Sequence, residues 1–88
     1  MWSDDEIKGK VLHKLTRQGK FHHSHTSVDN LPKGFPKEIR GRVKGCVQKL
    51  VKEGLLLTKP TDYGTEVSIN TEQADTIDKY IEIFHEKE

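Results

Sequence analysis

The chain has 88 residues, 33% charged and 32% apolar, with a formal net charge of +1. That length suits one small domain, expected over residues 1–88, burying about 60–65% of its extended-chain surface. No stretch nears the roughly 20 apolar residues of a membrane span, the charged start Met-Trp-Ser-Asp-Asp-Glu is no signal peptide, and a lone cysteine excludes an internal disulfide. A cytoplasmic protein without a membrane partner is therefore expected. The near-neutral total hides a sorted distribution. From Lys8 to Lys59, thirteen Lys or Arg stand against three acids (Asp29, Glu38, Glu53), a local balance of +10. Asp4, Asp5 and Glu6 precede this block, and eight acids with two lysines follow it. A basic block between acidic flanks predicts one surface suited to a polyanion, with nucleic acid as the first candidate.

In chain order, Ser3-Asp-Asp-Glu6 is a capping-box start, and Asp4 and Asp5 lie at the positive end of the helix dipole. Ile7, Val11 and Leu15 recur at spacings of four with Leu12 beside them, and Gly19 is a stop. A first helix is predicted over residues 4–18, with Lys10, Lys14 and Arg17 solvated. The stretch KFHHSHTS (20–27) has no period and reads as a loop with room for one short extended segment. Ser27 caps a short helix through Val28, Asp29, Asn30 and Leu31, which Pro32 keeps brief. PKGFP (32–36) is turn chemistry.

Pro36 suits the first position of a new helix, since its missing amide hydrogen has no partner there. Ile39, Val43, Cys46, Val47 and Leu50 then form an apolar stripe, and Gly54 is a C-cap. The other face carries Lys37, Glu38, Gly41, Arg42, Lys44, Gly45, Gln48, Lys49 and Lys52, so the polar side of helix 36–53 is almost wholly cationic. Leu55-Leu-Leu-Thr, the turn PTDYG (60–64) and the alternation Glu66-Val-Ser-Ile-Asn predict a β-hairpin with strands 55–59 and 65–69. Asn70 caps a last helix, with Gln73 at the box position. Ala74, Ile77, Ile81 and Phe84 form its core stripe. Tyr80 and Ile83 widen that stripe, either completing a small core or forming a homodimer seam.

Helix, short connection, short helix, turn, long basic helix and hairpin follow in the order of a winged helix-turn-helix. LVKEGLLLTKPTDYGTEVSINTEQ (50–73) resembles the recognition-helix end, wing and following cap of small archaeal winged-helix DNA-binding domains. HTSVDNLPKGFPKEIRGRV (25–43) resembles their helix-turn-helix. The resemblance implies an α+β fold: a three-helix core, a two-stranded wing hairpin and a C-terminal helix. It also implies a double-stranded DNA-binding protein, a transcriptional regulator, with helix 36–53 in the major groove and the 55–69 hairpin on an adjacent groove or backbone.

Roles follow from that expectation. A major groove about 12 Å wide admits one helix. Lys37, Glu38, Gly41, Arg42, Gly45 and Gln48 are the candidate base readers; Arg42 matches guanine O6 and N7, and Gln48 matches adenine N6 and N7. Lys33, Lys44, Lys49, Lys52, Lys59 and Tyr63 are the candidate backbone contacts. Gly41 and Gly45 each cost about 1 kcal/mol in a helix relative to Ala. They either admit DNA closely or clear space for a neighbouring helix. His22, His23 and His25 have ligand chemistry but no clear paired ligands, so solvated loop histidines are expected, with no metal and no cofactor. Cys46, on the apolar stripe, reads as a buried structural residue. No phosphate-cradling glycine loop, nucleophile motif or metalloprotease spacing is present, so no enzyme is expected. The alternative reading is a winged-helix protein–protein interaction module that binds an acidic partner through the same basic groove.

Overall fold

The computed structural model describes residues 1–87. Helix α1 (Asp4–Arg17) begins on the predicted capping box: Ser3 Oγ accepts from the Glu6 amide at 3.1 Å, and Glu6 Oε1 accepts from the Ser3 amide at 2.7 Å. Ile7, Val11, Leu12 and Leu15 bury one face completely. The helix closes on Gln18, and Gly19 takes φ 68°, the left-handed geometry glycine adopts freely. Trp2, just before the cap, packs edge-on against Phe35 and stacked on Phe84, with centroids 5.5 and 6.3 Å away.

The expected extended segment is strand β1 (Thr26–Ser27). Ser27 Oγ then accepts from the Asp29 amide and caps a single 3-10 turn, Val28–Asn30. Leu31 and Phe35 anchor the following loop in the core. Pro36 precedes a second 3-10 turn (Lys37–Ile39), so the α-helical part, α2 (Arg40–Lys52), starts four residues later than predicted. Gly54, at φ 78°, ends it.

Strands β2 (Leu56–Thr61) and β3 (Gly64–Ile69) pair antiparallel from Leu56 opposite Ile69 to Thr61 opposite Gly64. β1 joins the other edge of β3, giving the order β1–β3–β2. The predicted five-residue turn shrinks to Asp62 and Tyr63, held by Thr61 Oγ1, which accepts from the Tyr63 amide and donates to the Gly64 carbonyl. Pro60 therefore sits within β2, where an edge position tolerates its missing amide hydrogen. Asn70 caps as expected, accepting from the Glu72 amide, but the turn it opens (Thr71–Gln73) is 3-10, and helix α3 runs Ala74–Lys87.

The described residues form a compact α+β fold of three α-helices and a three-stranded antiparallel sheet around one buried cluster. No helix among the described residues is long and apolar enough to cross a membrane. α3 lies along α1, with contact at Gly9: a Cβ there would collide with the Tyr80 carbonyl oxygen and come within 2.8 Å of Phe84 Cβ. Three expectations need correction. Ala74 is exposed rather than in the core stripe, because α3 meets the core only from Ile77 onward. Lys10 and Lys14 are half-buried rather than solvated, since their ammonium groups donate to carbonyls of the 30–34 loop. The short second helix of the expected three-helix core, predicted through Leu31, is a single 3-10 turn that ends at Asn30.

Candidate nucleic-acid interface

α2 is the two-sided rod its sequence describes. Val43, Cys46, Val47 and Leu50 are buried, whereas Gly41, Arg42, Lys44, Gly45, Gln48, Lys49 and Lys52 are exposed. At about 100° per residue, Gly41, Gly45, Gln48 and Lys52 fall on the outermost ridge. Lys44 lies on one flank, Arg42 and Lys49 on the other. A Cβ added at Gly41 or Gly45 meets nothing within 4 Å. Neither glycine therefore clears space for another helix of this chain. The 3-10 turn before α2 carries Lys37 and Glu38, both exposed, and its geometry sets them apart from the regular helical ridge.

The two flanks differ in their partners. Asp4, from the first turn of α1, reaches α2: its Oδ1 accepts from Arg42 Nη2 and its Oδ2 from Lys49 Nζ, both at 2.7 Å. Arg42 Nη1 also donates to the Trp2 carbonyl at 2.9 Å. The bond from Lys49, then that from Arg42, holds the Asp4 carboxyl down to about 2. Arg42 was expected to reach outward to a base; its guanidinium is instead turned back onto the start of the chain. Lys49 shares that carboxylate, and both side chains stay about half exposed. On the other flank Lys44 pairs with Asp29 at 2.9 Å, with both side chains well exposed. Lys33 Nζ donates to Asn30 Oδ1 at 3.3 Å. Lys37, Lys52 and Lys59 have no ion pair among the described residues. Lys59 stands opposite Glu66 in the hairpin, and Tyr63 at its tip is 98% exposed. Arg40 Nε donates to the Phe35 carbonyl at 3.0 Å, tying the start of α2 to the loop before it.

Between α2 and the hairpin runs an open groove of about 460 Å³. Val28, Val47, Val51 and Val67 give it an apolar floor, and Lys44, Gln48 and Lys52 stand at its α2 side. Thr58 and Thr65 contribute from the strands. Sequence periodicity marks Val47 as core and gives no sign that it also floors a groove.

The remaining candidates lie elsewhere. His22, in the left-handed region at φ 52°, places Nε2 3.1 Å from Thr71 Oγ1. No group of three or more His, Cys, Asp or Glu among the described residues is placed to hold a metal ion. Cys46 is buried, and burial raises its thiol pKa. Tyr80, a candidate for a dimer seam, turns inward: its hydroxyl donates to Glu53 Oε1 at 2.6 Å, and Lys8 Nζ donates to Glu53 Oε2 at 2.8 Å. Ile83, the other seam candidate, is half-buried. Asp4 and Trp2 are the site residues that sequence reasoning missed as partners of α2. A hydrophobic residue directly before a capping box, as in a hydrophobic staple, was the available signal for Trp2. No protein-family model, curated protein or solved structure matches the chain.

Proposed function

We propose that this chain is a winged helix-turn-helix protein that binds double-stranded DNA and regulates transcription, with α2 laid in the major groove. The observation that carries this reading is the outer ridge of α2. Gly41 and Gly45 sit one helical turn apart, cost about 1 kcal/mol each, and face open space. Such glycines favour close approach by an external partner, and the lysines around them make that partner anionic. The element order and the β1–β3–β2 sheet are compatible with a winged helix.

In this arrangement Gln48 and Lys52 lie on the ridge, with Lys37 and Glu38 near its amino-terminal end. Lys33, Lys44 and Lys59 contact phosphates, and Tyr63 meets the backbone from the wing tip. Arg42 and Lys49 contribute as far as Asp4 releases them. Selection of bound sequences from a random duplex pool tests the reading. A defined motif is expected, with Gln48→Ala relaxing one base position and Lys52→Ala weakening all sequences alike. Recovery of no duplex above background overturns it.

One observation favours the second reading, a module that binds an acidic protein segment. The valine floor between α2 and the hairpin is apolar, and a phosphate backbone leaves such a floor unfilled. An amphipathic acidic peptide competing with duplex for the chain, with contacts on Val47 and Val51, is the result that reading predicts.

A further inference from the structure

A second basic concavity, of about 530 Å³, opens between α1, the loop at residues 33–34 and Phe84 of α3. Lys10, Lys14 and Arg17 line it from α1 at spacings of four and three, which puts them on one side of the helix. Lys33 and Gly34 contribute from the loop, and His13, Gln18 and Phe84 form the remaining wall. Among the described residues, no carboxylate lines it. The inner ammonium groups bond to backbone carbonyls: Lys10 Nζ donates to Gly34 O at 2.7 Å, and Lys14 Nζ donates to Asn30 O and Lys33 O at 2.9 and 3.0 Å. A carbonyl satisfies a donor without cancelling its charge. Burial first, then the Lys10 and Lys33 charges, lowers the Lys14 pKa, which is the crowding an anion relieves.

We propose that this concavity binds the phosphate chain of a small oligophosphate, either inorganic triphosphate or the triphosphate of a nucleotide. Phosphate oxygens accept from ammonium and guanidinium donors together, and charge-assisted bonds of that kind are the stronger ones. The volume falls within the range of small-molecule sites, about 300–1,000 Å³. Lys10 and Lys14 already tie α1 to the loop that leads into α2, so a bound anion reinforces the segment that sets the start of α2. The proposal does not depend on the DNA-binding reading.

The test is a titration of the full chain with inorganic triphosphate at constant ionic strength, followed by backbone amide NMR. Saturable shifts are expected at Lys10, Lys14, Arg17, Lys33 and Gly34. Arg17→Gln, at an exposed position, is expected to weaken triphosphate binding about fivefold and leave the urea midpoint unchanged. Lys52→Gln is expected to leave triphosphate binding unaltered while weakening duplex DNA binding. Repeating the titration with ATP separates the sources: equal affinity assigns recognition to the phosphate chain alone, and tighter binding adds the nucleoside. Three results overturn the proposal: no saturable shift at millimolar triphosphate, no effect of Arg17→Gln, or shifts centred on α2. Equal weakening of duplex and triphosphate by Arg17→Gln also overturns it, by merging the concavity with the duplex surface. Absence of duplex binding with triphosphate binding intact sinks only the DNA reading.

Discussion

Gly9 and Gly45 are both helical glycines, and their neighbours give them opposite consequences. Gly9 lets α3 approach α1 to contact distance, and Gly45 faces open space. Gly9→Ala is expected to destabilise the fold by about 1–3 kcal/mol or more, because the obstacle is the Tyr80 backbone, which yields only if α3 moves. Gly45→Ala is expected to stabilise it by about 1 kcal/mol while weakening duplex binding; urea unfolding and a duplex titration on the same variant check both halves. Sequence could not separate the two, since each lies in an amphipathic helix and the difference belongs to what packs, or does not pack, from outside. Lys8 gives a similar lesson. Burial opposes its charge, but bonds to Glu53 and Tyr80 outweigh burial and raise its pKa. Burial likewise opposes the Glu53 charge, yet the bonds from Lys8 and Tyr80 lower its pKa. The Glu53 contribution is therefore present above its ordinary 4.5 and lost as pH falls through its lowered value. The Lys8 contribution is present below its ordinary 10.5 and lost as pH rises through its raised value. Tyr80→Phe is expected to cost about 1 kcal/mol at neutral pH, measured by urea unfolding.

At the scale of elements, local signals are legible in the sequence and long-range ones are not. The capping box at Ser3, the apolar stripe of α2, the Gly54 stop and the two hairpin strands all follow from patterns within a few residues of chain. The Asp4 clamp on Arg42 and Lys49 joins residues 38 and 45 positions apart, and nothing local announces it. In sequence, Asp4 is fully explained as a helix-dipole anion; only the packing of α1 beside α2 gives it a second role. The start of α2 differs from the expected one for a related reason: Pro36 is compatible with either helical form, and the Arg40 bond to the Phe35 carbonyl accompanies a 3-10 entry. The clamp makes three predictions. The Asp4 carboxyl titrates near 2 by NMR rather than at 3.8, so its ion pairs are intact above pH 3.8 and are lost as pH falls through about 2. Lys49→Gln should move that midpoint upward. Asp4→Asn should free both cations and steepen the salt dependence of duplex binding by a log–log slope of about 2; an unchanged slope would mean that neither side chain reaches phosphate.

Across the whole molecule, the sorted charge of the sequence becomes a sorted surface. The acidic last helix packs chiefly along α1, and the cations of α2 and the hairpin stay outward. Acids at Asp4 and Asp29 trim this basic field without covering it, since their partners remain about half exposed or more. The central claim is that this outward rod meets duplex phosphates. Its most direct measurement is the affinity for random duplex DNA as a function of salt. With Lys33, Lys37, Lys44, Lys52 and Lys59 engaged, the account predicts a log–log slope between about −4 and −5, reduced by about 1 in Lys52→Gln. A duplex affinity undetectable at low salt, or a slope that Lys52→Gln leaves unchanged, contradicts it.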